Sequence, residues 1–244
     1  MRRLSSLLSV LLLGACAQEA QDALETRALR VIGCEQVQIA GPLRVRLEHG
    51  EPAGLEATGT RAQIDALTLT QDQPGELQLQ GAQPGLELRL RCPRLASLRL
   101  LGKAEVRDGA RTEQPAWQLE RVSAYGDSRL SLSRVQGGVL EARAAGQAQV
   151  HLDDVLADEM LLRIAGSARM VASGDVNDMR VDGLGQSQLQ AAELRAQNVT
   201  LQLGGRSAVV VAVSAHLDGE VAADASYEVR GSPDRSVVRL PAKS

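Results

Sequence analysis

The 244-residue chain contains no phenylalanine, one tryptophan (Trp117) and two tyrosines (Tyr125 and Tyr227). Aromatic rings usually supply the largest buried areas of a core, so Leu, Val and Ala must build this one. Thin, closely spaced layers are the result, and a bulky globular centre is excluded. Cysteine is nearly as scarce, with three residues, and neither Cys34 nor Cys92 has a neighbour at metal-ligand spacing. The apolar run from Leu7 to Leu13 falls well short of the roughly 20 residues that span a bilayer. Excess positive charge is missing too: 27 Lys and Arg against 30 Asp and Glu give a formal charge of -3. A mildly acidic chain has no overall electrostatic reason to bind nucleic acid or anionic lipid.

What is present at the N-terminus is a basic start (Arg2, Arg3), the short apolar run, and Leu13-Gly14-Ala15-Cys16. A charged beginning, an apolar core and small residues before a cut describe a secretory signal over residues 1–15. The four residues ending in Cys16 resemble the lipobox of bacterial lipoproteins, which implies cleavage before Cys16 and acylation of its thiol and amino group. An ordinary small-residue cleavage with Cys16 incidental is the alternative. Several acyl chains on one residue anchor stably, because each buried CH₂ contributes about 0.8 kcal/mol and one chain alone is marginal. The expected partner is therefore the lipid bilayer, through Cys16. Ala17, where an Asp would retain many lipoproteins at the inner membrane, favours the outer membrane, with the domain facing either the periplasm or the surface. Loss of Arg2 and Arg3 takes the formal charge from -3 to -5.

Residues 16–27 read as the lipidated Cys and a polar tether. Over residues 28–97 the chain alternates apolar and polar residues in short runs such as Leu43-Arg44-Val45-Arg46-Leu47 and Leu86-Glu87-Leu88-Arg89-Leu90, punctuated by Gly41-Pro42, Pro74-Gly75 and Pro84-Gly85. Period-2 runs bounded by turn residues are half-buried strands. This segment reads either as a small separate sheet or as the first, less regular coils of a stack that continues beyond residue 97. Cys34 and Cys92 flank much of it. In an oxidising compartment two such thiols pair or stay as separate buried cysteines.

Residues 98–244 carry an internal repeat. Gly126, Gly146, Gly166, Gly185 and Gly205 stand 20, 20, 19 and 20 residues apart, and Gly102 begins an earlier copy. Four residues before the five glycines stand Val122, Ala142, Leu162, Val181 and Leu201; two after stand Ser128, Ala148, Ala168, Ser187 and Ser207. The odd offsets are polar, so one strand face is apolar or small and the other faces water. A repeat of about 20 residues that cannot bury its own apolar face must stack on its neighbours, as a β-solenoid. The glycines are expected at close approaches or bends. Glu220 to Glu228 reads as a degraded last copy, with Asp224 at the glycine position.

The order V-Q-I…L-R-V-R-L-E-H-G-E (Val37 to Glu51), G-E-L-Q-L (Gly75 to Leu79), C-P-R-L-A-S-L-R-L-L-G (Cys92 to Gly102), the recurrent G-x-[SA] coils and the closing Y-E-V-R-G-S-P (Tyr227 to Pro233) resembles the auto-transporter adhesin head GIN domain family (DUF2807). The resemblance implies a right-handed β-helix, an envelope location and no catalytic residues. Two departures stand out: the aromatic of the first strand is missing, with Cys34 near its place, and the coils read G-D-S, G-Q-A or G-R-S rather than G-S-G.

No residue pattern points to chemistry. His49, His151 and His216 occupy unrelated positions and are expected to face solvent, His49 at a turn and His216 in a connection. Asp153-Asp154, Asp158-Glu159 and Asp175/Asp178 are expected as turn formers rather than a Ca²⁺ column, since the G-G-x-G-x-D repeat is absent. Arg129 and Arg169, or Arg143 and Arg163, are placed to share outer faces, where they serve solubility and edge protection. No cofactor and no metal are expected. The expected role is a non-catalytic binding, adhesion or structural module contacting an envelope or surface component. The rival readings are a polysaccharide-acting β-helix enzyme, for which aromatic platforms are lacking, and an envelope-assembly accessory protein, which requires an apolar concavity that alternation cannot reveal.

Overall fold

Period-2 alternation becomes strands, and the 20-residue period becomes their stacking. The computed structural model describes residues 23–109 and 115–240, so residues 1–15 and Cys16 lie outside it. Strand makes up 69% and helix about 2%, in a β-solenoid of about seven turns with about 20 residues each. The strands are β1 (Leu24–Leu29), β2 (Gln36–Ala40), β3 (Arg44–His49), β4 (Gly54–Thr60), β5 (Thr68–Thr70), β6 (Glu76–Gln80), β7 (Glu87–Cys92), β8 (Ser97–Leu101), β9 (Glu105–Asp108), β10 (Trp117–Gln118), β11 (Arg121–Gly126), β12 (Arg129–Gly146), β13 (Gln149–Gly166), β14 (Arg169–Gly183), β15 (Gln188–Leu203), β16 (Ala208–Val221), β17 (Ser226–Arg230) and β18 (Arg235–Arg239); one short helix, α1 (Arg61–Asp65), lies after β4.

From β8 onward each coil lies parallel on the previous one, with Ala142 opposite Leu162, Leu162 opposite Val181 and Val181 opposite Leu201. Like therefore stacks on like. One inward row is Ala104, Ser128, Ala148, Ala168, Ser187 and Ser207, of which none exceeds 1% exposure. Small side chains there let the chain turn tightly beside the glycine. At Gly166 φ is +73°, a conformation that L side chains adopt at a cost. A Cβ there would also stand 2.9 Å from the carbonyl oxygen of Gly146. That oxygen already accepts the Ser167 N–H at 2.8 Å. In the last coil the register corrects the expected copy: with Val221 opposite Leu203 and Ser226 opposite Ala208, Ala223 rather than Asp224 stands at the glycine position, and the Ser226 N–H donates to the Ser207 carbonyl.

The segment before residue 97 joins the same stack, in an order the chain does not follow. β2 lies between β6 and β8, and β3 between β7 and β9, all parallel. Residues 76–92 thus form the first coil and residues 36–49 the second. β8 straddles the 97/98 boundary read from the sequence, so the stack has no seam there. Antiparallel strands close this end: β4 pairs with β7, β1 with β4, and β5 with β6. The tether read over 16–27 is corrected accordingly, since the chain from Leu24 is already strand β1. Thr60 and Gln63 form a capping box that starts α1. Cys34, just before β2, and Cys92, ending β7, are joined by a disulfide across 58 residues, with Cα atoms 5.8 Å apart.

Leu, Val, Ile, Met and Ala fill the lumen. Its one large ring is Trp117, 1% exposed in the coil below Val135. At the far end β17 and β18 expose most of their residues, and among the described residues no element covers them. Glu228, Arg230, Arg235 and Arg239 place charge along that edge, which discourages strand addition.

Candidate functional site

Past the glycine corner the chain turns again. Arg134, Asp154 and Gly174 all have positive φ, one in each of three successive coils. Beyond this corner outward and inward residues alternate, and the register aligns them along the solenoid axis. The first outward ladder is Gln118, Gln136, Leu156, Asp175, Arg195, Ala212 and Arg230. Beside it run the small buried residues Ala157, Val176, Ala196 and Val213. A second outward ladder holds Asp158, Asn177 and Gln197, linked by amide hydrogen bonds: Asn177 donates to Asp158 (3.3 Å) and Gln197 to Asn177 (3.2 Å).

Between the ladders lies a groove of about 780 Å³ whose lining is more apolar than polar. Leu156, 56% exposed, projects from one side at a position that most coils give to a polar residue. Arg195 grips Asp175 through two hydrogen bonds of 2.7 Å each. Hydrogen bonding to Arg195 holds the Asp175 carboxyl below its ordinary range, and the same bond raises Arg195. The rims are thus largely self-satisfied, and the floor is small and apolar.

On another face, Glu141 collects three arginines. Arg121 donates through Nε at 3.4 Å, Arg163 through a terminal nitrogen at 3.0 Å, and Arg143 through Nε at 2.8 Å and a second nitrogen. Burial pushes the Glu141 carboxyl up, but the bonds and charges of Arg143, Arg121 and Arg163 outweigh it and hold the group below the usual carboxylate range. The structure places Arg143 directly opposite Arg163, whereas Gln149 separates Arg129 from Arg169. All four belong to central strands. Edge protection is therefore not what places them.

The histidine expectations need correction. His49 is half-buried and stacks on Trp117 with ring centroids 3.5 Å apart, because β3 feeds it toward the one large ring of the core. Its Nε2 is buried without a hydrogen-bond partner, and burial lowers its pKa, with Arg134 adding to that and Asp108 opposing it. Asp108 itself accepts from Trp117 Nε1 (3.3 Å) and from the Ser133 N–H (2.8 Å) and hydroxyl (2.7 Å). His216 lies in β16 rather than a connection, exposed and bonded to Asn198 at 2.9 Å. His151 is partly exposed, 2.8 Å from Asp153. The acidic pairs are corrected too: Asp153, Asp154, Asp158 and Glu159 lie within β13 and Asp175 and Asp178 within β14 rather than in turns between strands, and of the six Asp154 has a positive φ (51°). Among the described residues no three His, Cys, Asp or Glu are grouped to hold a metal ion, and no helix is long and apolar enough to cross a membrane.

The family model described as "Putative auto-transporter adhesin, head GIN domain" matches residues 34–233. The chain belongs to this family. No curated protein matches it. Three solved structures share the fold of this GIN domain. A "putative lipid binding protein" from Parabacteroides distasonis ATCC 8503 superposes with a TM-score of 0.78 at 17% identity, covering 91% of this chain and 95% of its own. A "putative adhesin" from the same strain gives 0.75 at 13% identity, covering 91% and 98%. A "putative adhesin" from Parabacteroides merdae ATCC 43184 gives 0.72 at 13% identity, covering 89% and 94%. At such identities the likeness is one of fold.

The shared face of Arg143 and Arg163 was legible in the sequence; the groove, and the convergence of Arg121 and Glu141 on that pair, were not. Their signals were faint but present: a leucine at position 156 where its neighbours in register are polar, and basic residues recurring at the same offset in successive coils.

Proposed function

We propose that this GIN-domain protein is a non-catalytic binding module of the cell envelope, lipid-anchored at Cys16 outside the described residues, which receives an acyl chain in its axial groove. The observation that carries the reading is the groove itself. Its floor is small and apolar, Leu156 adds exposed apolar surface, and the rim charges already pair with each other. An ionic ligand would have to break the Asp175–Arg195 fork, which an apolar chain leaves intact. A sugar-hydrolysing site would need two free carboxylates flanking the substrate, whereas Asp175 is held by Arg195 and Asp158 by Asn177. The name of one structural relative, "putative lipid binding protein", is consistent with this occupant.

Two experiments test the two halves. Membrane fractionation of Cys16→Ser should move the protein from the membrane to the soluble fraction; persistence at the membrane refutes the anchor. The soluble Cys16→Ser protein, titrated with a fluorescent long-chain fatty acid, should bind it, and Ala212→Trp, which fills the groove between Arg195 and Arg230 toward its β17 end, should weaken binding at least tenfold. Binding unaffected by Ala212→Trp would place the fatty acid elsewhere and sink the groove reading.

A further inference from the structure

The sheet carrying Glu141 holds a second concavity, independent of the groove. Its centre is Ser123, 5% exposed on β11. In a sheet, a side chain has four near neighbours on its own face: two at i±2 on its strand and one directly opposite on each adjacent strand. For Ser123 these are Arg121 and Tyr125 along the strand, Arg99 on β8 and Arg143 on β12. Three guanidinium groups and a phenol therefore ring one buried hydroxyl.

Only part of this cationic capacity is used by the chain. Arg121 donates Nε alone to Glu141, and Arg143 keeps a terminal nitrogen free of it. Among the described residues Arg99 makes no ion pair; its guanidinium lies over the Tyr125 ring, 5.4 Å from the centroid. Arg163 also pairs with Asp182 at 3.5 Å, but among the described residues Glu141 is the one carboxylate paired with Arg121 and Arg143, and Arg99 is uncompensated. A local surplus of positive charge stands on a protein whose net charge is -3.

The remaining walls have a different chemistry. Continuing the column of Arg99 away from Ser123 come Gln38 and then Gln78, with Gln36, Ser97 and Glu76 beside them, around a pocket of about 470 Å³. One end supplies charged forks suited to a planar or tetrahedral anion. The other supplies amides, a hydroxyl and one carboxylate, which donate to and accept from neutral hydroxyl groups.

We propose that this pocket is a binding site for an acidic saccharide, its carboxylate or phosphate held over Ser123 by Arg99, Arg121 and Arg143 and its hydroxyls met by Gln36, Gln38 and Gln78. The site lies off the groove, so an apolar ligand and an acidic glycan can be held at once.

The test is calorimetric titration of the full-length protein in a neutral detergent with trigalacturonate, with neutral maltotriose and with sodium sulfate. Trigalacturonate should bind at least tenfold more tightly than maltotriose, and its affinity should fall as sodium chloride rises, as charge-assisted recognition requires. Arg99→Gln and Arg143→Gln should each weaken it at least tenfold. Arg143→Lys, which keeps the charge but loses the fork, should recover only part of that. Arg206→Gln, outside the pocket, should bind as the unmodified protein does, and thermal unfolding of each variant checks that the coil is intact. Sulfate binding as tightly as trigalacturonate would overturn the saccharide assignment and leave a bare anion site. No binding by trigalacturonate, or binding indifferent to Arg99→Gln and Arg143→Gln in folded variants, would overturn the site altogether.

Discussion

Replacing Gly166 by Ala tests the principle on which the whole stack depends. Two separate costs arise. First, φ at this residue is +73°, and holding a non-glycine residue in that region costs on the order of 1–3 kcal/mol. Second, the new Cβ would stand 2.9 Å from the Gly146 carbonyl oxygen and 3.2 Å from its nitrogen. Those are backbone atoms of the coil below, bonded in turn to Ser167, so neither side yields without loosening a hydrogen bond whose net worth is about 1 kcal/mol. The sum is about 2–4 kcal/mol, read as a drop in the urea midpoint at unchanged slope. Gly166→Asn separates the two costs, because Asn tolerates positive φ but carries the same Cβ; it should recover about a half to three quarters of the loss, the dihedral share above. Gly138→Ala is the control. No φ in the left-handed region is recorded there, and the nearest atom to its Cβ is an Asp158 side-chain oxygen at 4.0 Å, so its effect should stay within about 0.5 kcal/mol. If Gly166→Ala and Gly138→Ala unfold at the same urea concentration, the glycine column is not what sets the coil spacing.

Three further outcomes are expected. Replacing Cys34 and Cys92 together by Ala releases a loop of 58 residues, which chain-entropy reasoning values on the order of 4 kcal/mol; a chemical-denaturation curve showing no loss would mean that the unfolded chain is held in the same region by other contacts. His49 has a pKa lowered by burial from its ordinary 6.5, so the unfolded chain binds the proton more readily. Stability is therefore fully present above about pH 6.5 and falls as the pH drops through the lower folded value. The melting temperature should decline between pH 7.5 and pH 5.5, and His49→Phe, which preserves the stack on Trp117, should flatten that decline; an equal decline in both proteins would remove His49 as the cause. Glu141, whose folded pKa is also lowered, should extend the loss of stability further into acid, below about pH 4.5, in both.

The sequence by itself determined the coil. The apolar–polar alternation and the 20-residue spacing of Gly126, Gly146, Gly166, Gly185 and Gly205 assign each side chain to lumen or surface, because strand geometry leaves two faces and the repeat leaves one way to cover the apolar one. The short helix was not among the sequence expectations; its capping pair, Thr60 and Gln63, was recognised only in the structure. What only the tertiary structure decided was vertical order and lateral company. Nothing local in residues 36–49 says that they lie between residues 76–92 and 97–108, since any coil with the same alternation offers the same backbone edge. His49 read as a turn residue because its burial comes from Trp117, which is 68 positions away along the chain and a neighbour only once the coils stack. The groove and the Ser123 pocket arise in the same way. Each is lined by residues about 20 positions apart that are unremarkable within their own coil, and it is the parallel register, repeated every turn, that gathers Arg99, Arg121 and Arg143 into one place.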